Sequence, residues 1–72
     1  MSDLDRRLLI AHDRGDGEAL VSLYTEAAEH AQTETMCAFY LTHAMVLALE
    51  FGNPTAATLR DRLVGMGREE PL

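Results

Sequence analysis

The sequence predicts an all-α fold of four helices, arranged as two antiparallel helical hairpins or a small helical bundle. Apolar residues recur at spacings of three and four along most of the 72 residues. Breaks rich in glycine, proline and polar residues divide these periodic segments. No segment alternates apolar and polar residues with β-branched enrichment, as a strand would. The predicted helices span residues 3–14, 17–31, 34–51 and 54–66 in one domain over residues 1–68, followed by a frayed tail over residues 69–72.

The first predicted helix begins after Ser2, a residue type that favours the N-cap position. Asp5 follows three positions later, as in a variant of the capping box. Gly15 supplies a natural stop for the helix. Apolar residues form one stripe along it: Leu4, Leu8 and Ala11.

The second predicted helix is capped by Asp16 and is strongly amphipathic. Three alanines on its apolar side allow a neighbouring helix axis to approach closely. The apolar stripe consists of Leu20, Leu23, Tyr24, Ala27, Ala28 and Ala31.

The third predicted helix, capped by Thr33, contains the most apolar run of the chain, residues 36–52. Thr42, His43 and Glu50 interrupt these 17 residues, whereas a bilayer span needs about 20 apolar residues. We therefore expect no membrane span. A helix that is apolar on nearly every side is central to its fold or is covered by a partner.

The fourth predicted helix is expected to use Asn53 as its N-cap and Pro54 as its first residue, where the missing N–H costs nothing. One side of this helix is apolar: Ala56, Leu59, Leu63 and Met66.

Two segments of the chain echo each other, "IAHDRGDGEAL" from residue 10 and "LALEFGNPTAA" from residue 47. Each reads as a helix end, a glycine, an Asp or Asn cap and a new helix, at an offset of 37 residues. The sequence here resembles a pair of tetratricopeptide-like helical hairpins, which implies antiparallel helix packing and the binding of peptides or other proteins. The residues that carry the resemblance are Gly15, Asp16, Tyr24, Ala27, Gly52, Asn53 and Ala57.

The charge balance argues against nucleic acid and anionic lipid as partners. Twelve acidic residues and six basic ones, all of them arginine, give a net charge of −6, which repels phosphate groups at long range. Cys37 is the only cysteine, so no intramolecular disulfide forms. The first residues, "MSDLDRRLLIAHD", lack the pattern of a secretory signal. We therefore expect a cytoplasmic, bacterial protein.

Candidate catalytic and metal sites are weak in this sequence. Glu26 and His30 stand four residues apart and could contribute to a zinc or iron site, but both lie on the polar face of the second predicted helix. Cys37 is better explained as a small buried thiol than as a reactive one. No spacing assembles a nucleophile, a base and oxyanion donors. We expect no enzyme activity, no cofactor and no bound metal.

The third predicted helix carries the residues expected to contact another protein. His43 lies among apolar residues and needs either a buried hydrogen bond or a subunit contact. Aromatic and flexible apolar side chains of this kind are enriched at interface cores. The sequence therefore predicts a homo-oligomeric interaction or adaptor module, in the simplest case a homodimer, that can also take a protein or peptide partner. The predicted interface consists of Phe39, Tyr40, His43, Met45, Val46 and Leu47.

An alternative function is a small DNA-binding regulator that uses helix 54–66 as its recognition helix. Four residues of this helix could contact phosphates or bases: Thr55, Thr58, Arg60 and Arg62. Asp61, Glu69 and Glu70 nearly cancel the arginine charge locally, which favours a solvated helix face with mixed charges.

Overall fold

A computed structural model describes residues 2–67 of the chain. Over these residues it contains four helices and no strand: α1 (Asp3–Arg14), α2 (Gly17–Glu29), α3 (Glu34–Glu50) and α4 (Ala56–Gly65). The predicted all-α class of four helices is therefore confirmed. The predicted tail, residues 69–72, lies outside the described residues.

The first three helices begin at the caps that the sequence predicts. The side-chain oxygens of Ser2, Asp16 and Thr33 each accept a hydrogen bond of 3.1 Å from the backbone N–H three residues later. Gly15 ends α1 in the left-handed conformation, with φ of 63°, which glycine adopts without steric penalty. Local sequence thus determines both the starts of these helices and the turn between α1 and α2.

Four of the predicted helix limits differ from the observed ones by one or two residues. α2 ends at Glu29 instead of residue 31, because the last turn tightens and the Ala31 N–H donates to the Ala28 carbonyl, three residues back. α3 ends one residue early, at Glu50.

α4 begins at Ala56 instead of Pro54 and ends at Gly65 instead of residue 66. The Asn53 side-chain oxygen accepts hydrogen bonds from the Thr55 N–H, at 2.9 Å, and from the Thr55 hydroxyl, at 2.7 Å. This Asx-type turn holds residues 54 and 55 outside the helix. The structure therefore makes Thr55 the N-cap in place of the predicted Asn53.

The helices form a thin layer in chain order. Among the described residues, close backbone contacts join α1 to α2, α2 to α3 and α3 to α4 only. The fold measures 34 × 29 × 11 Å. Two stacked layers would be thicker, because packed helix axes lie about 8–10 Å apart and Cα atoms lie about 2.3 Å from each axis. Adjacent helices pair across short connections, as the predicted hairpins require, and the layer is one helix thick.

The core lies mainly between α2, α3 and α4 and is built from small and medium-sized side chains. Leu41 and Leu63 are its largest fully buried residues. Alanines make up half of the buried core cluster, and such small side chains allow helix axes to approach closely but bury little apolar area. The buried core cluster consists of Val21, Ala28, Ala38, Leu41, Ala44, Ala48, Leu59 and Leu63.

Candidate protein contact surface

One side of α3 is left uncovered by the rest of the fold. Met36, Phe39, His43 and Val46 follow one another at intervals of three, four and three residues, which places them along one side of the helix. Met36 is 42%, Phe39 51% and Val46 46% exposed, and His43 is exposed as well. These four residues are called the α3 stripe below. The buried residues of α3 lie on the opposite side: Ala38, Leu41, Ala44 and Ala48.

The structure places five of the six predicted contact residues on this side of α3. Phe39, His43 and Val46 belong to the α3 stripe, and Tyr40 and Leu47 border it as half-buried side chains. Met45 lies elsewhere. It stands four residues after the fully buried Leu41, and therefore on the covered side, where it packs against the core.

His43 stands in a cluster of aromatic rings. Its ring centroid lies 4.7 Å from that of Phe39 and 5.2 Å from that of Tyr24 on α2. Tyr40 extends the cluster, with centroids 5.6 Å from Phe39 and 6.4 Å from Tyr24. One of the two explanations offered for His43, a buried hydrogen bond, is wrong because the imidazole is exposed. The other, a subunit contact, stays a prediction.

The cluster extends to α1 through His12, which sequence reasoning did not select. The His12 Nε2 atom lies 3.0 Å from the Tyr24 hydroxyl oxygen. The two rings meet edge to face, with centroids 6.0 Å apart. His12 and Tyr24 are twelve residues apart on different helices, so no spacing within one helix indicates the contact. The sequence indicates only that Tyr24 belongs to the apolar side of α2, by which that helix packs on its neighbours.

The opposite face of the layer carries two open grooves. The groove between α2 and α4 has a volume of about 870 Å³, and the groove between α1 and α2 about 380 Å³; Ser22 borders both. Beside the smaller groove, Arg7 Nη2 donates to Glu26 Oε2 at 2.5 Å. This hydrogen bond lowers the pKa of Glu26 and raises that of Arg7. The charges of Arg7 and Glu26 are therefore already paired with each other within the chain.

The candidate metal residues do not converge. Glu26 is held by Arg7, and no three His, Cys, Asp or Glu side chains within residues 2–67 are placed to hold a metal ion together. Cys37 is half-buried and packs against the core. These side chains thus assemble no metal centre in the part of the chain that the structure describes.

The residues considered for DNA contact lie on α4 and the turn before it. Arg62 Nη2 lies 3.1 Å from Glu29 Oε1 and forms an ion pair that joins α4 to α2. Thr55, Thr58 and Arg62 line the α2–α4 groove. Thr55, Thr58 and Arg62 therefore face a groove within the fold, and the Arg62 guanidinium is engaged by a carboxylate.

No family model matches this chain, and no curated protein or solved structure matches it. The resemblance to tetratricopeptide-like hairpins therefore stays an expectation based on the residues that carry it. None of the helices within residues 2–67 is both long and apolar enough to cross a membrane.

Proposed function

We propose that this protein acts through protein–protein contact, first with a second copy of itself, as a homo-oligomeric interaction module of the bacterial cytoplasm without catalysis. The observation that carries the proposal is the α3 stripe. Its three large apolar side chains are each about half exposed at the middle of the layer. Contiguous exposed apolar surface of this kind is typical of interaction sites.

The thinness of the layer explains why the stripe stays open. Each inner helix has only two neighbours in a single layer, and α3 meets both on the side of its alanines. No further helix within the described residues crosses the other side. A second protein is therefore the simplest cover for the stripe.

The available area suits a dimer. A stable interface buries about 800 Å² on each partner, and the broad face of a 34 × 29 Å layer offers about 1,000 Å² in projection. The whole described surface is 4810 Å², so self-association would cover about a sixth of it. One face of the layer can supply the contact without rearrangement of the helices.

The chemistry of the stripe favours a protein over a nucleic acid or an anionic membrane. The α3 stripe contains no arginine or lysine, and the net charge of −6 repels phosphate. Aromatic and methionine side chains are enriched at protein interfaces. The face that carries the two grooves stays accessible in such a dimer, which leaves room for a protein or peptide partner and so for an adaptor role.

The molecular mass in solution tests this proposal. The chain has a mass of 8.0 kDa, and a homodimer doubles it to about 16 kDa. Light scattering over a dilution series should show the dimer mass at high micromolar concentration. A monomer mass throughout would refute the proposal.

A further inference from the structure

We infer that the second copy docks antiparallel, α3 against α3, with the two His43 rings meeting at the two-fold axis. The inference rests on the proposed function and adds the orientation of the partner. It follows from the order of residues along the exposed side of α3, from the charge at its end and from the shape of the layer around it.

The exposed side of α3 is complementary to the same side of a second copy in antiparallel orientation. Glu50 continues the line of the α3 stripe, so the exposed residues on this side stand at positions 36, 39, 43, 46 and 50, and His43 is the midpoint of this range. In an antiparallel pair centred on His43, Phe39 lies four residues from the centre and Val46 three, so Phe39 comes within about 1.5 Å of the level of the partner's Val46 along the axis. Each large ring thus meets a smaller side chain, as close packing between two facing surfaces requires.

A parallel pair would be less favourable at both ends of this contact. It would place two Phe39 rings opposite each other and two Val46 side chains opposite each other. It would also bring the two Glu50 carboxylates together, and like charges at close range repel. Reversal separates these carboxylates by about 21 Å, since each lies seven residues from the centre at 1.5 Å per residue.

The antiparallel orientation of the two α3 helices also gives Glu50 a favourable position. It brings this carboxylate to the N-terminal end of the partner's α3, where the positive end of the helix dipole attracts negative charge. Glu34, the acidic residue in the first turn of α3, stands seven residues before Leu41 and therefore on the covered side of the helix. The carboxylates of Glu34 and Glu50 thus lie on different sides of α3.

The shape of the layer allows two α3 helices to approach each other. Both neighbours of α3 lie toward its buried side, and the Arg62–Glu29 ion pair links them across that side. The α3 stripe is therefore open along its length, with Tyr24 beside His43 and His12 beside Tyr24. Two copies of α3 can pack through this open side at the usual axial distance of about 8–10 Å.

Single cysteines report the orientation directly. Cys37 is first replaced by serine to give a background without thiols, and cysteine is then placed at position 39, 43 or 46. A disulfide needs Cα atoms within about 7 Å. In the antiparallel pair, the two copies of position 39 lie about 12 Å apart along the axis, because each is four residues from the centre.

We expect three outcomes under mild oxidation. His43→Cys cross-links with itself, Phe39→Cys and Val46→Cys alone cross-link weakly, and an equal mixture of the last two gives a strong cross-linked product of one chain of each kind. Ala57→Cys, at an exposed position of α4, is the control for random collision and should give only background. The mass of each reduced variant is measured in parallel.

The results separate the two proposals. Strong self-cross-linking of Phe39→Cys and of Val46→Cys, in variants that keep the dimer mass, would overturn the antiparallel orientation and leave the dimer standing. Monomeric wild-type protein would overturn both. Glu50→Gln gives a second readout, because loss of the dipole contact should weaken an antiparallel dimer at least about threefold, whereas relief of repulsion would tighten a parallel one.

Discussion

Val46→Glu should dissociate the dimer, and the structure allows the size of the effect to be worked out. Val46 is 46% exposed in the single chain, so about half of its side chain remains to be buried by a partner. Full burial of a valine contributes about 1.5–3 kcal/mol. The substitution therefore removes about 1 kcal/mol per copy, or about 2 kcal/mol per dimer.

The new carboxylate adds a second cost. A charge that loses part of its hydration without gaining a partner costs at least about 1 kcal/mol, and the dimer contains two of them. The total is about 4 kcal/mol, which raises Kd about 1,000-fold at 1.4 kcal/mol for each factor of ten. A micromolar dimer becomes a millimolar one, so the variant should have the monomer mass at every practical concentration.

Leu49→Glu is the matched control. Leu49 is also an exposed apolar residue of α3, at 65%, but it lies about 120° around the helix from His43 and therefore outside the α3 stripe. Both substitutions add the same charge, so a general effect of negative charge would appear in both variants. Circular dichroism should show unchanged helix content in each.

Light scattering or sedimentation over a concentration series is the assay. We expect monomeric Val46→Glu and a nearly unchanged dimer of Leu49→Glu. Equal Kd values for the wild type and Val46→Glu would refute the assignment of the contact to the α3 stripe. The opposite order, with dissociation only in Leu49→Glu, would move the contact to the side of α3 that faces α4.

Three further predictions concern the stability of the single chain. Gly17→Ala should lower the free energy of unfolding by about 1–3 kcal/mol, because a Cβ at this buried position would overlap the Phe51 ring. In a Phe51→Ala background this cost should vanish. Equal denaturant midpoints for wild type and Gly17→Ala would contradict the reasoning. Thr33→Ala should lower it by about 1 kcal/mol through loss of the α3 cap, whereas Thr33→Ser should retain the wild-type urea midpoint. Glu26→Gln should lower Tm at pH 7, and its Tm gap to the wild type should narrow progressively as the pH falls below about 4.3. The Arg7 hydrogen bond holds the pKa of Glu26 below its ordinary value, so the stabilisation is complete above that value and is lost as the pH falls through the lowered pKa. A Tm gap that stays constant through this acid range would argue against a role for this ion pair.

The helices could be predicted from the sequence because their determinants are local. Ser2, Asp16 and Thr33 cap helices through hydrogen bonds that span three residues, and Gly15 adopts a conformation that favours glycine whatever surrounds it. The start of α4 was missed for an equally local reason. Asn53 can serve either as a helix cap or as the first residue of an Asx-type turn, and residue type alone does not distinguish the two.

The open side of α3 could be predicted only in part. The excess of apolar residues on α3 is visible in the sequence, but the side that stays open depends on where α2 and α4 lie. Met45 and Val46 are neighbours of similar hydrophobicity, yet one packs against the core and the other is exposed. His12 and Tyr24 join the surface only because α1 and α2 pair across a tight turn.

The sequence by itself determined the number of helices, the caps of the first three, and the presence of more apolar surface on α3 than an amphipathic helix needs. These properties depend on residue type and on spacing within a few residues, so they exist before the chain is compact. Only the tertiary structure decided that the four helices form one thin layer, with the alanine side of α3 inward and Phe39, His43 and Val46 outward. The physical reason is that the side on which a helix is covered depends on how its neighbours pack, and the small alanine side chains admit those neighbours most closely.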